Sequence, residues 1–273
     1  MRRRLALRAI ALCGIGLRTG SPHGQPAGTL DHGYAAWDAL LRKHVQWLPD
    51  GSQSRVDYQA LARDRPELQR ILREWSGLSR AAFEGFGREQ QMAFLINAYN
   101  GFTLELVLGR YPAVQSIKDL GTFLQSAWKR PFFQLLGEPH HLDWIEHEQL
   151  RPVYRDPRLH AALNCASIGC PALRPQAFVA TRLDAQLDDG MRRFLADRTR
   201  NRLADGKLQV SPIFKWYRED FEQGYRALHR LEDLMAQHAL QLADDPAARE
   251  LIRSKTVPIV FLDYDWSLND RGR

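Results

Sequence analysis

Hydrophobic positions along this chain recur mainly at helical spacing. Trp37, Leu40, Leu41 and Val45 follow i, i+3, i+4, i+8 and predict an amphipathic helix. Leu68, Ile71, Leu72 and Trp75 repeat the pattern. Pro66 sits near the first turn of that helix, where its missing N–H costs nothing. The segment Arg88–Leu108 is apolar on most sides. Met92, Leu95, Ile96, Tyr99, Phe102 and Leu106 form a wide stripe, and Phe94 and Leu104 lie outside it. A helix of that kind is central and buried. Asn97 and Asn100 lie three apart on it and share a face. Neither is a good helix former. A buried amide without partners costs roughly 1–3 kcal/mol, so both are expected to bridge this helix to the Cys165 turn or to form a structural network that satisfies buried backbone.

Pro112 closes the helix. Ser116–Leu136 reads as a loop with short helical pieces, and His141–Ile145 as a short strand entering a turn. Arg158–Cys165 reads as a buried strand or a short helix. Leu183, Leu187, Met191, Phe194 and Leu195 predict another helix, and Lys207–Val210 a strand after the turn signal Asp205-Gly206. Glu219–Leu242 is predicted as one helix with Phe221, Tyr225, Leu228, Leu231 and Met235 inward. Val257–Leu262 is a short apolar run, expected as a buried strand. The sum is an α+β fold: a helix-rich single domain over residues 30–273, with a small β-sheet packed around the central helix.

Composition changes this picture at one end. Five of the 38 basic residues fall within the first 18 positions, where there is no acid, so the rest of the chain is nearly neutral. The net charge of +6 therefore gives no support for a nucleic-acid partner. Met1–Arg8 is basic, Ala9–Leu17 is apolar, and small residues follow. Residues 1–29 are expected to be a signal peptide or a disordered N-terminus, and the protein to be exported, into the periplasm in a bacterium. No run of 18 apolar residues predicts a transmembrane helix. With residues 1–29 removed, only Cys165 and Cys170 remain of the three cysteines.

Several stretches carry a resemblance. They are FLINAYNGFTLELVLGRYP (Phe94–Pro112), SIKDL (Ser116–Leu120), LDWIEHEQLRP (Leu142–Pro152), DPRLHAALNCASIGCPALR (Asp156–Arg174), SPIFKWYREDF (Ser211–Phe221) and YDWSLN (Tyr264–Asn269). In this order they resemble the domain of unknown function 547 family. Ile168-Gly169 departs from the family, which often has a serine at the second of these positions. The resemblance implies export, as for many bacterial members, and no particular activity.

The candidate chemistry centres on the cysteines. Cys170 precedes Pro171, a residue favoured at the first helical position, so Cys170 is a candidate N-cap with a lowered thiol pKa. Cys165 could equally point into a pocket, and Asn164 beside it could donate to an oxyanion. Backbone N–H groups of Ser167–Cys170 are the alternative oxyanion donors. His147 is the expected base, oriented by Asp143 or Glu146. Asp143 and Glu146 also fit a capping box, with Asp143 as N-cap. Lys215, Trp216 and Tyr217 are candidate binding residues, together with Asn97 and Asn100. His147, His160, Cys165 and Cys170 offer a metal-ligand set without the tight spacing of zinc ribbons, and no metal or other cofactor is assigned. The chain has no G-x-S-x-G, H-E-x-x-H, G-x-G-x-x-G or P-loop motif.

Two functions follow as expectations. One is an exported thiol-dependent hydrolase or acyl transferase that uses a Cys–His pair on a small-molecule or peptide ligand. The other is a non-catalytic cell-envelope binding module with a Cys165–Cys170 disulfide.

Overall fold

The computed structural model describes residues 30–121 and 126–272, and the expected signal segment lies outside them. The chain opens with α1 (Ala35–His44), which runs into β1 (Val45–Trp47) and its antiparallel partner β2 (Ser54–Val56). Three helices follow: α2 (Tyr58–Arg63), α3 (Arg65–Ser76) and α4 (Arg80–Glu84). Asp57 and Ser79 cap α2 and α4 by accepting backbone N–H bonds, and Pro66 lies in the first turn of α3.

The central helix α5 (Arg88–Leu108) is buried along most of its length. Its partners come from α3 on one side and from segment 144–150 on another. Gly101 is where α3 comes closest. A Cβ there would sit 3.0 Å from both Leu72 Cδ2 and Trp75 Cζ3. The helix ends at Gly109, ahead of a cis Tyr111-Pro112 bond.

Beyond it the chain makes single 3₁₀ turns at Ile117–Leu120 and Ala127–Lys129, then the hairpin β3 (Phe133–Leu135) and β4 (Glu138–His140). Leu136 and Gly137 both have positive φ, which suits a two-residue hairpin turn. The strand expected at His141–Ile145 therefore lies one step earlier. Residues 142–150 are helical instead, and Trp144–Leu150 forms a π-helix. It leads into α6 (Arg151–Tyr154) and a 3₁₀ turn at Pro157–Ala161, so Arg158–Cys165 starts as a short helix and not as a strand.

Then come α7 (Leu183–Ala196), β5 (Arg202–Ala204), β6 (Lys207–Val210), α8 (Ile213–Trp216) and α9 (Arg218–Glu222). The single helix expected over Glu219–Leu242 is broken. Gly224, Arg226 and Ala227 take positive φ, Arg226 is drawn to Asp184 and Asp188, and Tyr225 donates to Asp156. Tertiary ion pairs override the helical pattern there. Helices α10 (Leu231–Gln237), α11 (Ala239–Leu242) and α12 (Pro246–Arg253) follow. Strand β7 (Ile259–Phe261) pairs parallel to β6, which pairs antiparallel to β5. β7 lies at the sheet edge and is only half-buried, contrary to the buried strand expected for this run.

The fold is helix-rich α+β, with three small sheets in place of one. One hydrophobic cluster surrounds α5. A second, built on Phe194, Phe214 and Phe221, lies under the C-terminal helices. Between them runs Leu159–Cys170, in which Leu159, Ala162, Leu163 and Ala166 belong to the first cluster and Ala161 to the second. Among the described residues, no helix is long and apolar enough to cross a membrane.

Candidate active site

The Cys165–Cys170 turn is fixed by its surroundings before any chemistry is considered. Asn100 on α5 donates to the Ala162 carbonyl (3.0 Å) and accepts from the Asn164 N–H (2.9 Å). Asn164 in turn donates to the Pro171 carbonyl (2.8 Å) and accepts the Ala166 N–H (2.9 Å), which holds Ala166 at a positive φ. Ile168 and Gly169 N–H groups donate to Ser267 and Asp265 carbonyls, both at 2.8 Å. Gln53 donates to the Ile168 and Cys170 carbonyls, and Arg200, buried against Asp197, donates to the same two. A Cβ on Gly169 would lie 2.9 Å from the Asp265 carbonyl and 3.0 Å from the Tyr264 ring. Only glycine permits this approach of the C-terminal segment.

Two expectations fail for reasons visible here. Residues 171–174 are not helical, so Cys170 is not an N-cap and receives nothing from a helix dipole. The N–H groups of Ile168, Gly169 and Cys170 are all spent on backbone carbonyls and are not oxyanion donors. Asn164 is spent in the same way.

Both cysteines are free thiols, and the disulfide that their spacing permits is not formed. They are not equivalent. The Cys170 sulfur is buried; it accepts the Cys165 N–H at 2.9 Å and donates to the Leu163 carbonyl at 3.7 Å. Burial pushes its pKa well up. The Cys165 sulfur has donors instead. Tyr264 Oη lies 3.1 Å away, and the Ser167 hydroxyl, which has no other partner among the described residues, faces it together with the Ser167 N–H. Burial raises the Cys165 pKa, but hydrogen bonds from Cys170, Tyr264 and Ser167 outweigh it and bring the thiol down to about 7.

Cys165 opens onto a cavity of about 270 Å³. Asp143, just before the π-helix, and Glu146 and His147 on it come to the cavity wall, spaced so that they share one side. π-Helical turns recur at functional sites. Asp143 does not cap this helix. It lies inside the first turn and makes no capping bond, and His141 Nδ1 accepts the Trp144 N–H (3.0 Å) in its place. Burial raises the Asp143 pKa, with Glu146 adding to it and His147 opposing.

His160 reaches the same cavity from the 3₁₀ turn. The partners of the two histidines decide what each can do. Arg151 Nη1 is 2.9 Å from His147 Nδ1. A guanidinium only donates, so Nδ1 accepts, and the neutral ring keeps its proton on Nε2, 3.9 Å from Asp143 Oδ1. His160 Nε2 is 2.7 Å from Asp220 Oδ2. A carboxylate only accepts, so Nε2 carries the proton and Nδ1 keeps its lone pair. Arg151 holds Asp220 from the other side at 2.6 and 3.1 Å. Burial pushes the Asp220 pKa up, but His160 and Arg151 hold it well below the usual carboxylate range. Tyr217 stacks on the His160 ring at 3.9 Å and fixes its plane. No hydrogen bond joins either imidazole to the Cys165 sulfur among the described residues.

The opposite wall and the mouth are aromatic. Tyr264 and Trp266 pack at 4.4 Å, Trp216 and Trp266 at 5.8 Å, and Trp128 meets Trp266 edge-on at 6.0 Å. Lys118 covers one face of Trp266 at 3.7 Å. Trp216 is 49% exposed.

Of the residues singled out in the sequence, Cys165, Cys170, His147, Glu146, Trp216 and Tyr217 line this cavity. Asn164, Asn97, Asn100 and Lys215 do not. Asn97 bridges α5 to Phe178, donating to its carbonyl (2.8 Å) and accepting its N–H (3.0 Å), and also accepts the Trp37 indole (3.2 Å). Lys215 is exposed. The sequence reading gave no catalytic place to His160, Asp220 or Tyr264. A signal existed for the first: His160 and Cys165 are five apart in one recognisable stretch.

A thiol, two oriented histidines and two carboxylates are thus brought to one aromatic cavity. Residues 83–195 match the model of the family described as protein of unknown function, DUF547, so the resemblance read from the sequence holds over this segment. It contains α5, the π-helix and the cysteine turn. Trp216, Tyr217, Tyr264 and Trp266 complete the cavity from beyond it, and Asp220 holds His160 from behind the wall. No curated protein and no solved structure matches the chain.

Proposed function

We propose that the protein is a thiol-dependent hydrolase or acyl transferase with Cys165 as its nucleophile. The observation that carries this reading is the shared cavity. The Cys165 thiol, stabilised as thiolate by Tyr264 and Ser167, lines it together with His160, whose far nitrogen is fixed on Asp220. His160 takes the role first given to His147, because its Nδ1 is free to accept a proton and that of His147 is not. A base acts within about 3 Å or through one water.

In the forward step the Cys165 sulfur adds to an ester or amide carbonyl. The tetrahedral oxyanion collapses, the C–O or C–N bond breaks, and protonated His160 gives its proton to the leaving group. Water or another acceptor then attacks the thioester, with His160 as base. Tyr264 Oη is the donor placed to follow charge from the thiolate to the oxyanion. Cys170 supports the nucleophile by accepting its N–H, and Asn164 shapes the turn. Glu146 and His147 form the wall facing the substrate. The basic and apolar opening of the sequence supports a site of action outside the cytoplasm.

Incubation with p-nitrophenyl esters of graded chain length, followed by peptide mass spectrometry, tests the mechanism. An acyl group on Cys165 is expected, with slow release in His160→Ala. No adduct on Cys165 with any ester, or equal turnover by Cys165→Ser, contradicts it.

A further inference from the structure

Glu146 poses a problem that the thiol chemistry leaves open. Its side chain is nine-tenths buried, at 6% exposure, and faces the cavity. Among the described residues it forms no ion pair. Arg151 is committed to Asp220 and to His147 Nδ1, and His160 to Asp220. The neighbour of Glu146 is the Tyr217 hydroxyl, whose pKa is raised first by burial and then by this carboxylate. A carboxylate buried without an ion-pair partner is unfavourable, because one neighbouring hydroxyl replaces only part of the water that burial removes.

The rest of the lining points to the missing partner. Among the described residues, no lysine or arginine lines the cavity. Asp143 adds a second acidic group. Six aromatic rings, those of Tyr99, Trp128, Trp216, Tyr217, Tyr264 and Trp266, surround the space. Aromatic faces beside carboxylates form the setting in which organic ammonium groups are held by cation–π attraction. A metal ion does not fit the donors: among the described residues, no three His, Cys, Asp or Glu side chains are grouped as metal ligands.

We infer that the cavity binds a primary alkylammonium group, as on a lysine side chain or a polyamine, with its charge on Glu146 and its carbon chain against Trp216 and Trp266. The inference rests on the thiol reading only in assigning that group to the substrate. The binding itself stands apart from it. The ammonium enters past the exposed Trp216 and neutralises Glu146. A neutral chain of the same length has nothing to offer the carboxylate.

The test is a titration of the purified protein with n-butylammonium chloride and, in parallel, with n-butanol, followed by tryptophan fluorescence and calorimetry. Saturable binding of butylammonium with no saturation by butanol is expected, in wild type and in Cys165→Ser alike. Glu146→Gln is expected to weaken it about tenfold or more, as for loss of a hydrogen bond to a charged group. Trp216→Ala, which alters an exposed side chain and leaves the core intact, is expected to weaken it several-fold. Equal binding of butanol, or unchanged affinity in both variants, overturns the proposal. Butylammonium binding without an acyl adduct on Cys165 leaves this site standing and removes the thiol mechanism. An adduct without ammonium binding does the reverse.

Discussion

Removing one oxygen tests the electrostatics of the nucleophile. In Tyr264→Phe the ring keeps its place against Trp216 and Trp266, but Cys165 loses the hydroxyl 3.1 Å from its sulfur. A hydrogen bond to a charged group contributes about 1.5–3 kcal/mol. At 1.36 kcal/mol per pKa unit, the loss raises the thiol pKa by roughly one to two units. The wild-type thiol, at about 7, is half ionised at neutral pH. The variant is then ionised to about 1–10% at the same pH. Iodoacetamide reacts with the thiolate, so its rate at pH 7 should fall about five- to fiftyfold. At pH 10 both proteins should react at similar rates. The assay is alkylation followed against pH, with the labelled cysteine identified by mass spectrometry. A Tyr264→Phe profile superimposable on that of wild type would show that the hydroxyl does not hold the thiolate.

Four further outcomes are expected. Gly169→Ala drives a Cβ into the Asp265 carbonyl and the Tyr264 ring; a loss of about 1–3 kcal/mol in urea unfolding is expected, with a raised Cys165 pKa in the same alkylation assay. Cys170→Ala leaves the Cys165 N–H without its acceptor and should cost about 1–3 kcal/mol by the same unfolding measurement, while Cys165 still alkylates but with a raised pKa. Asp220→Asn removes a carboxylate whose pKa is depressed in the folded state. Its contribution is present above the unfolded pKa of about 3.9 and fades as pH falls below it, so the variant should be less stable by about 2 kcal/mol near neutrality and should converge on wild type in acid melts. Ile96→Ala empties a fully buried position on α5, for which a loss of about 2–5 kcal/mol in thermal or urea unfolding is expected.

Much of the frame was legible because it rests on local pattern. The apolar positions of α1, α3, α5 and α7 repeat at helical spacing, and those helices lie where the spacing puts them, except that Val45, expected in the first, opens β1 instead. The failures occur where distant groups decide local structure. Residues 223–230 have a helical pattern, yet the ion pairs of Arg226 with Asp184 and Asp188 hold the chain in left-handed turns. Asp143-Trp144-Ile145-Glu146 has the letters of a capping box, but His141 takes the cap two residues earlier and frees Asp143 for the cavity wall. Cys170-Pro171 looks like a helix start, but Asn164 pins the Pro171 carbonyl and the chain runs on without a helix.

The site shows the same division. Cys165, Glu146 and His147 were legible as unusual residue types in unusual stretches. The choice between the two histidines was not, since it depends on Arg151 and Asp220, 69 residues apart in sequence. Nor was the asymmetry of the cysteines, which arises from Tyr264, 99 residues beyond Cys165. Asn97 and Asn100 carried a correct physical warning, that buried amides need partners. Asn100 reaches the cysteine turn through backbone groups of Ala162 and Asn164, whereas Asn97 does not and bonds the Phe178 backbone and the Trp37 indole instead.

The central claim is that Cys165, and not Cys170, is an activated thiol. The most direct measurement is site-resolved alkylation of the native protein with iodoacetamide from pH 5 to 10. The account predicts a label on Cys165 alone, with an apparent pKa of about 7, while Cys170 reacts only after unfolding. Labelling of Cys170 first, or of neither thiol until the protein is denatured, would contradict it.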